Sequence, residues 1–391
     1  MYKKTMLNRV LKQALERLSK GFPILAITGP RQSGKTTLSK EMFPHLGYVS
    51  LEDPIERAFA MEDPKGFLAR FSKGAIFDEA QRWPDLFSHL QGLVDEGRRP
   101  GRFVLTGSQQ FGLMAGITQS LAGRAGMTTL LPLSLEEIPK GEEGNPDMMM
   151  LRGGYPALYS GGALPADWFA SYVATYLERD VRQVLEVKDL TVFQRFLRLC
   201  AGRTGQLLNL SALAGEAGIS HTTARSWISV LESSDIVHLL PPYHRNFGKR
   251  LVKSPKLYFV DVGLACWLLG IRSEEVLETH PARGALFETL VIGEFLKARL
   301  NRGLPADLYF WRDNNGLEAD LLFESMGRLQ MVEIKSGRTV TPDYMRAAQK
   351  SNKFAPDEAL SPWLIHGGEE SYERNGVRVI GWRSLRDLPS S

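Results

Sequence analysis

Apolar residues along the chain recur in two periods. Leu7, Val10, Leu11, Ala14, Leu15 and Leu18 fall at helical spacing and predict an amphipathic helix near the start. Short apolar runs follow at Leu25–Ile27, Tyr48–Leu51, Ala75–Phe77, Phe103–Leu105 and Met127–Leu131, each reading as a buried strand. Strands separated by helical patterns predict an α/β unit. The polar, Gly- and Pro-bearing stretch Lys140–Asp147 breaks the pattern, and Trp168–Leu185 returns to a helical one. Helices at Ser211–Ala214 and His221–Ser233 flank the turn Gly218-Ile219-Ser220, with Ser220 as N-cap. Strands at Ile236–Leu240 and Lys256–Val260 come next. After the apolar helix stripe Leu286, Phe287, Leu290, Val291, Phe295 lie strands at Leu308–Trp311, Glu318–Phe323, Leu329–Lys335 and Trp363–Ile365, with a helix at Tyr344–Lys350. The pattern divides the chain at 1–140, 141–200, 201–270 and 271–391.

Composition narrows the class. The 391 residues are 43% hydrophobic and 24% charged, ordinary for a protein that buries a core. A net charge of +4 is mild, so any basic surface must be local. Cys200 and Cys266 sit in apolar helical surroundings with no metal-ligand spacing, which fits a reducing compartment. No apolar run reaches membrane-spanning length and no signal-peptide core opens the chain, so a cytoplasmic protein with no membrane partner is expected.

Chemistry concentrates first at Gly29-Pro30-Arg31-Gln32-Ser33-Gly34-Lys35-Thr36-Thr37, a G-x-x-x-x-G-K-T phosphate loop between a strand and a helix. Its backbone N–H groups would curl round a phosphate where the helix dipole favours anions. Lys35 would reach the β/γ-phosphates of ATP, and the Thr36 hydroxyl would hold Mg²⁺. In Phe77-Asp78-Glu79-Ala80-Gln81 a strand ends in two carboxylates: Asp78 as a second Mg²⁺ ligand, Glu79 to polarise the attacking water. The tip of the strand Phe103–Leu105 offers Thr106, Ser108 or Gln109 as a γ-phosphate sensor, with Ser108 favoured. Arg124 has three readings: an arginine finger given to a neighbouring subunit, a sensor in its own site, or a surface arginine. The first requires a homo-oligomer. Arg179 and Arg182 are candidate lid residues, set against a solvated, salt-bridged helix face.

Gly29–Thr36, Phe77–Gln81, Leu105–Ser108, Leu121-Ala122-Gly123-Arg124, Gly153-Gly154-Tyr155-Pro156 and Thr175–Val181 together resemble the bacterial and archaeal AAA-type ATPases that carry a C-terminal DUF4143 region. The resemblance covers nearly the whole chain. It implies a P-loop NTPase core of the additional-strand type with sheet order 5-1-4-3-2. It also implies a C-terminal region like the PD-(D/E)xK nuclease fold.

The residues of the second half are read the same way. Residues 201–270 have a winged-helix layout after a helical lid or linker. Thr222, Thr223, Arg225 and Ser226, near the start of the second helix, would meet a DNA groove. Lys249, Arg250 and Lys253 in the basic loop would meet phosphates, the alternative being an interdomain packing module. On the strand Leu329–Lys335, Glu333 and Lys335 share one face, a hairpin away from Asp320. Asp320 and Glu333 would hold Mg²⁺, Glu288 would complete the acidic set, and Lys335 would place the attacking hydroxide. The bland alternative is a structural ion-pair cluster. The sequence therefore leads to the expectation of a Mg²⁺-dependent ATPase that binds and remodels, or cleaves, DNA, with branched or damaged DNA among the candidate substrates and the preferred DNA structure left open. Its rival is a nucleotide-switched regulatory or scaffold protein that uses its C-terminal domains for protein contacts.

Overall fold

The computed structural model describes residues 7–108, 113, 116–117, 119–177, 189–243, 253–313, 317–351 and 358–388. Gln109, Arg179, Arg182, Lys249 and Arg250 lie outside the described residues. So do the other positions of the basic loop between 244 and 252.

Helix α1 (Lys12–Gly21) buries Ala14 and Leu15, as its apolar stripe predicts. It leads into β1 (Ile24–Thr28), whose five residues are all buried. Helix α2 (Lys35–Met42), β2 (Gly47–Ser50), α3 (Pro54–Glu62), α4 (Pro64–Ala69), β3 (Ala75–Asp78), α5 (Leu86–Glu96), β4 (Phe103–Thr106) and β5 (Ala125–Thr129) complete the unit. The strands pair in parallel in the order β2-β3-β4-β1-β5, the order expected. β4 therefore lies between the strand of the phosphate loop and the strand ending in Asp78. Continuous apolar strands suit a parallel sheet covered on both faces, and separate apolar clusters fill the two sides. β5 starts two residues before the predicted Met127, because its pairing with β1 begins at Ala125 opposite Ile24.

The segment after β5 runs into helices α6 (Pro146–Arg152) and α7 (Pro165–Tyr172), and then α8 (Leu190–Ala201). The predicted helix Trp168–Leu185 instead changes to a π-helical turn at Val173–Leu177, and residues 178–188 lie outside the described set. Strand β6 (Gln206–Leu207) precedes α9 (Leu210–Ala217) and α10 (His221–Ser233), which are followed by the antiparallel pair β7 (Val237–Leu240) and β8 (Lys256–Phe259). Gly218, in left-handed conformation, ends α9, and the Ser220 hydroxyl accepts the Thr223 N–H to cap α10. Helices α11 (Val262–Leu268), α12 (Glu274–Thr279) and α13 (Arg283–Leu300) follow.

The last unit is a six-stranded mixed sheet. It contains β9 (Tyr309–Arg312), β10 (Glu318–Ser325), β11 (Arg328–Lys335), β12 (Trp363–His366), β13 (Tyr372–Arg374) and β14 (Val377–Gly381), in the order β13-β14-β12-β11-β10-β9. Helix α14 (Pro342–Ser351) crosses between β11 and β12, which pair in parallel. One apolar cluster runs from Leu131 to Leu388 and joins the segment after β5, the helices between it and the last sheet, and one face of that sheet, while two smaller clusters fill the rest of the C-terminal unit. The helices of 146–172 are packed into the large cluster through Met149, Met150, Phe169 and Tyr172.

Candidate functional site

The phosphate loop leaves β1 at its C-terminal end. Gly29 has φ +132°, and a Cβ there would fall 2.1 Å from the Leu130 carbonyl oxygen, so only glycine lets the loop turn beside β5. Gly34, at φ +100°, starts α2. Lys35 is buried, and its Nζ donates to the Gly29 and Pro30 carbonyls, both at 2.8 Å. Burial pulls its pKa down, against the pull of Glu79 and Asp78.

Asp78 ends β3 next to the loop. Its Oδ2 accepts the hydroxyls of Thr36 at 2.9 Å and Tyr48 at 3.0 Å, while its Oδ1 accepts that of Thr106. Burial and the Asp78 charge push the Tyr48 phenol up to about 12. Hard oxygen donors gathered on Thr36 and Asp78 suit Mg²⁺. Glu79 stands in the left-handed region at φ 55°, ψ 47°, a costly backbone for a residue with a Cβ. Its Oε2 accepts from Gln81 Nε2 at 2.5 Å and from Ser108 Oγ at 3.0 Å. Ser108, the favoured sensor, thus reaches the candidate base, while Thr106 reaches Asp78. A cleft of about 770 Å³ opens over the loop. Arg31, Lys35, Thr36, Thr37 and Glu79 line it on one side, and Pro156, Ala157 and Ser160 on the other. Gln32 and Gly34 also face this cleft, while Ser33 is fully buried beneath it.

Arg124 lies elsewhere. It precedes Ala125, which pairs with Ile24 at the start of β1, so it sits at the sheet end opposite the loop, roughly 15 Å away along the strand. It forms a forked pair with Asp95 at 2.7 and 2.9 Å. A sensor role in its own site is therefore corrected; only the role towards another subunit and the surface reading survive.

Two site residues escaped the sequence reading. Tyr48 lies in β2 with nothing in its spacing to mark it. Gln81 belongs to the stretch Phe77–Gln81, yet only the fold turns its amide towards Glu79.

In the C-terminal unit, α13, β10 and β11 bring Glu288, Asp320, Glu333 and Lys335 into one neighbourhood. Lys335 Nζ lies 2.6 Å from Glu333 Oε1 and 3.8 Å from Asp320 Oδ2. Asp320 Oδ2 also accepts the Ile334 N–H at 2.8 Å. Burial and the nearby Asp320 charge push the carboxyls of Glu288 and Glu333 up to about 7. The buried Lys256 of β8, not foreseen in the sequence, reaches Glu288 at 3.1 Å and Glu318 at 2.5 Å, and the Tyr258 hydroxyl donates to Glu288 at 2.5 Å. Among the described residues no three His, Cys, Asp or Glu side chains gather as a metal-ligand group. The carboxylates of the expected set, Glu288, Asp320 and Glu333, are instead engaged by lysines, a tyrosine and a backbone amide.

On α10, Thr222, Arg225 and Ser226 are exposed and Thr223 is half-buried; Lys253 is exposed beside β8. No helix of the described residues is long and apolar enough to cross a membrane.

Comparison with known proteins agrees with this layout. Residues 21–139 match the model of an AAA domain, residues 145–275 a domain of unknown function (DUF8612), and residues 283–385 a domain of unknown function (DUF4143). The uncharacterized proteins Rv2008c of Mycobacterium tuberculosis and Mb2031c of Mycobacterium bovis are each 36% identical over 346 residues, covering 87% of this chain and 75% of theirs. A solved Walker-type ATPase of Pyrococcus abyssi aligns with 68% of this chain and 96% of its own, at 14% identity and a TM-score of 0.46. A RuvB Holliday junction branch migration motor of Thermotoga maritima aligns with 59% of this chain and 87% of its own, at 17% identity and a TM-score of 0.30. The AAA-domain match over the phosphate-loop unit, the DUF4143 match over the C-terminal sheet and the mycobacterial relatives place the chain in the family of AAA-type P-loop ATPases with a C-terminal DUF4143 region.

Proposed function

We propose that the protein is a Mg²⁺-dependent ATPase whose turnover is coupled to binding and remodelling DNA. The observation that carries this is the convergence of Lys35, Thr36, Asp78 and Glu79 under one cleft whose far wall is Pro156–Ser160. On binding ATP, Lys35 would exchange its two loop carbonyls for the β/γ-phosphates. Thr36 and Asp78 would hold Mg²⁺, which supplies charge neutralisation at the phosphates. Glu79 would take the attacking water once it parts from Gln81 and Ser108. Arg124, exchanging Asp95 for a neighbour's nucleotide, would make a homo-oligomer the hydrolysing form. Because the cleft has walls from both units, nucleotide binding bears on the packed body that carries α10 and the C-terminal sheet.

For DNA, the support is the capped helix α10 with Thr222, Arg225 and Ser226 exposed at its start, followed by an antiparallel strand pair with Lys253 exposed. In this reading the 201–270 region acts as a winged helix and the C-terminal unit as a PD-(D/E)xK-like domain. The deciding measurement is ATP turnover with single-stranded, duplex and branched DNA, with Lys35→Ala as control. Acceleration by one of them, absent in the control, is the expected result; no acceleration by any removes the DNA coupling.

A second reading, the nucleotide-switched scaffold without cleavage, draws on Lys256 seated between Glu288 and Glu318. A centre whose carboxylates are already neutralised needs displacement before it takes a metal. Mg²⁺- or Mn²⁺-dependent cleavage lost in Asp320→Ala and Lys335→Ala would decide against it.

A further inference from the structure

We infer that Arg9, which lies ahead of the AAA-domain match, is a positioning residue for the phosphate loop; this rests on the nucleotide reading of the site. The side chain is 6% exposed and forks to three acceptors. One terminal nitrogen donates to the Ser33 carbonyl at 2.6 Å, the other to the Leu131 carbonyl at 2.6 Å, and Nε to Glu137 Oε1 at 3.0 Å. Glu137 in turn accepts the Val10 and Ser134 N–H groups, at 2.8 and 3.0 Å. Arg9, which itself lines the edge of the cleft, is thereby fixed by Glu137 and holds the loop at the Ser33 carbonyl.

The consequence follows from the planarity of the peptide bond. In the trans Ser33–Gly34 peptide the carbonyl and the N–H point in opposite directions. Anchoring the Ser33 carbonyl on Arg9 fixes this peptide plane and holds the Gly34 N–H pointing away from Arg9, where it would meet a phosphate in the cleft. Gly34 itself lines that cleft, and its backbone at φ +100° is free to flip that peptide unless something holds it. A lysine has no fork and cannot serve Ser33, Leu131 and Glu137 together.

The test is calorimetric titration of the full chain with ATP and with inorganic tripolyphosphate, alongside melting temperature and steady-state hydrolysis. Arg9→Lys keeps the charge but not the fork. Arg9→Met combined with Glu137→Gln removes the ion pair as a unit and strands no buried charge. The expected result is that both variants fold, and that ATP and tripolyphosphate each lose about tenfold or more in affinity, by matching factors, because the lost contact is to phosphate. KM for ATP rises while kcat at saturation stays within about threefold. A folded variant that binds both ligands within about twofold of the parent overturns the inference. So does Arg9→Lys with a lowered melting temperature and unchanged affinity, the mark of a structural role alone. A folded parent chain that binds neither ligand brings down the nucleotide reading itself and the role of Arg9 with it.

Discussion

Glu79 is held by two neighbours in a backbone conformation that few residues with a Cβ adopt. Strain of this kind persists where surrounding contacts over-determine it, and it marks a carboxylate that must sit in one place. Glu79→Gln keeps the shape and removes the proton acceptor. ATP affinity should stay near that of the parent while kcat falls by on the order of 10²–10⁴, measured by titration and single-turnover hydrolysis. His238 makes a different prediction. It is half-buried on β7, its Nε2 has no hydrogen-bond partner among the described residues, and burial pulls its pKa down from 6.5 to about 4. The unfolded chain then binds a proton that the folded chain refuses, so stability is complete above pH 6.5 and falls as pH drops towards 4. His238→Leu should lose this dependence, the gap between variant and parent growing by about 3 kcal/mol over that window in denaturant titrations. Legibility at this scale differed by residue. Lys35, Thr36, Asp78 and Glu79 were readable because fixed spacing with strand–loop–helix context encodes their geometry. Arg9, Tyr48 and Lys256 were not, because each reaches its partners across elements far apart in the chain, and no local pattern records such a contact.

At the scale of elements, hydrophobic period did most of the reading. The five parallel strands and the helix pair α9–α10 appear where apolar runs and caps predicted them. The Ser220 cap carries a measurable share: Ser220→Ala should destabilise the fold by about 1 kcal/mol in denaturant titrations, since the Thr223 N–H loses its acceptor at a helix start. The hairpin β13–β14 was passed over for a physical reason. Tyr372-Glu373-Arg374 is exposed along its length and carries no apolar face to announce a strand. Its signal lay in the turn, where Asn375 and Gly376 both take positive φ, the conformation that favours Asn-Gly between paired strands. The helix read across Trp168–Leu185 is helical as far as it is described, but the backbone changes to a wider turn at Val173–Leu177. Side-chain period does not report which carbonyl each N–H selects. The acidic neighbourhood was placed correctly on β10, β11 and α13, but Lys256 from β8 enters it from an element the strand pattern could not bring there.

Taken whole, the molecule joins its two ends through the stretch between β5 and α6. On the loop side, Arg9 and Glu137 hold it at Leu131 and Ser134. On the other side, Glu294 of α13 accepts the Leu135 N–H at 2.7 Å, and Lys297 donates to the Leu133 carbonyl at 3.0 Å and to Glu294 at 2.9 Å. Glu294 and Lys297 are 2% and 4% exposed, so each charge depends on the other and on that stretch for compensation. Removing one partner strands a buried charge, whereas removing both leaves an apolar contact on the shared core. Lys297→Met alone should therefore cost about 3–5 kcal/mol in global stability. Lys297→Met with Glu294→Leu should recover most of it, leaving chiefly the lost bonds to Leu133 and Leu135, about 1 kcal/mol each. Denaturant unfolding of the parent, both single variants and the double gives the coupling directly. Additive costs would show that the two charges are compensated separately; strong recovery in the double would show that they act as a pair. The double variant also removes the bonds to Leu133 and Leu135, so it should carry ATP-induced protection of α13 from hydrogen exchange less far than the parent does if this stretch fastens the phosphate-loop unit to the C-terminal unit; equal protection in both would remove that role.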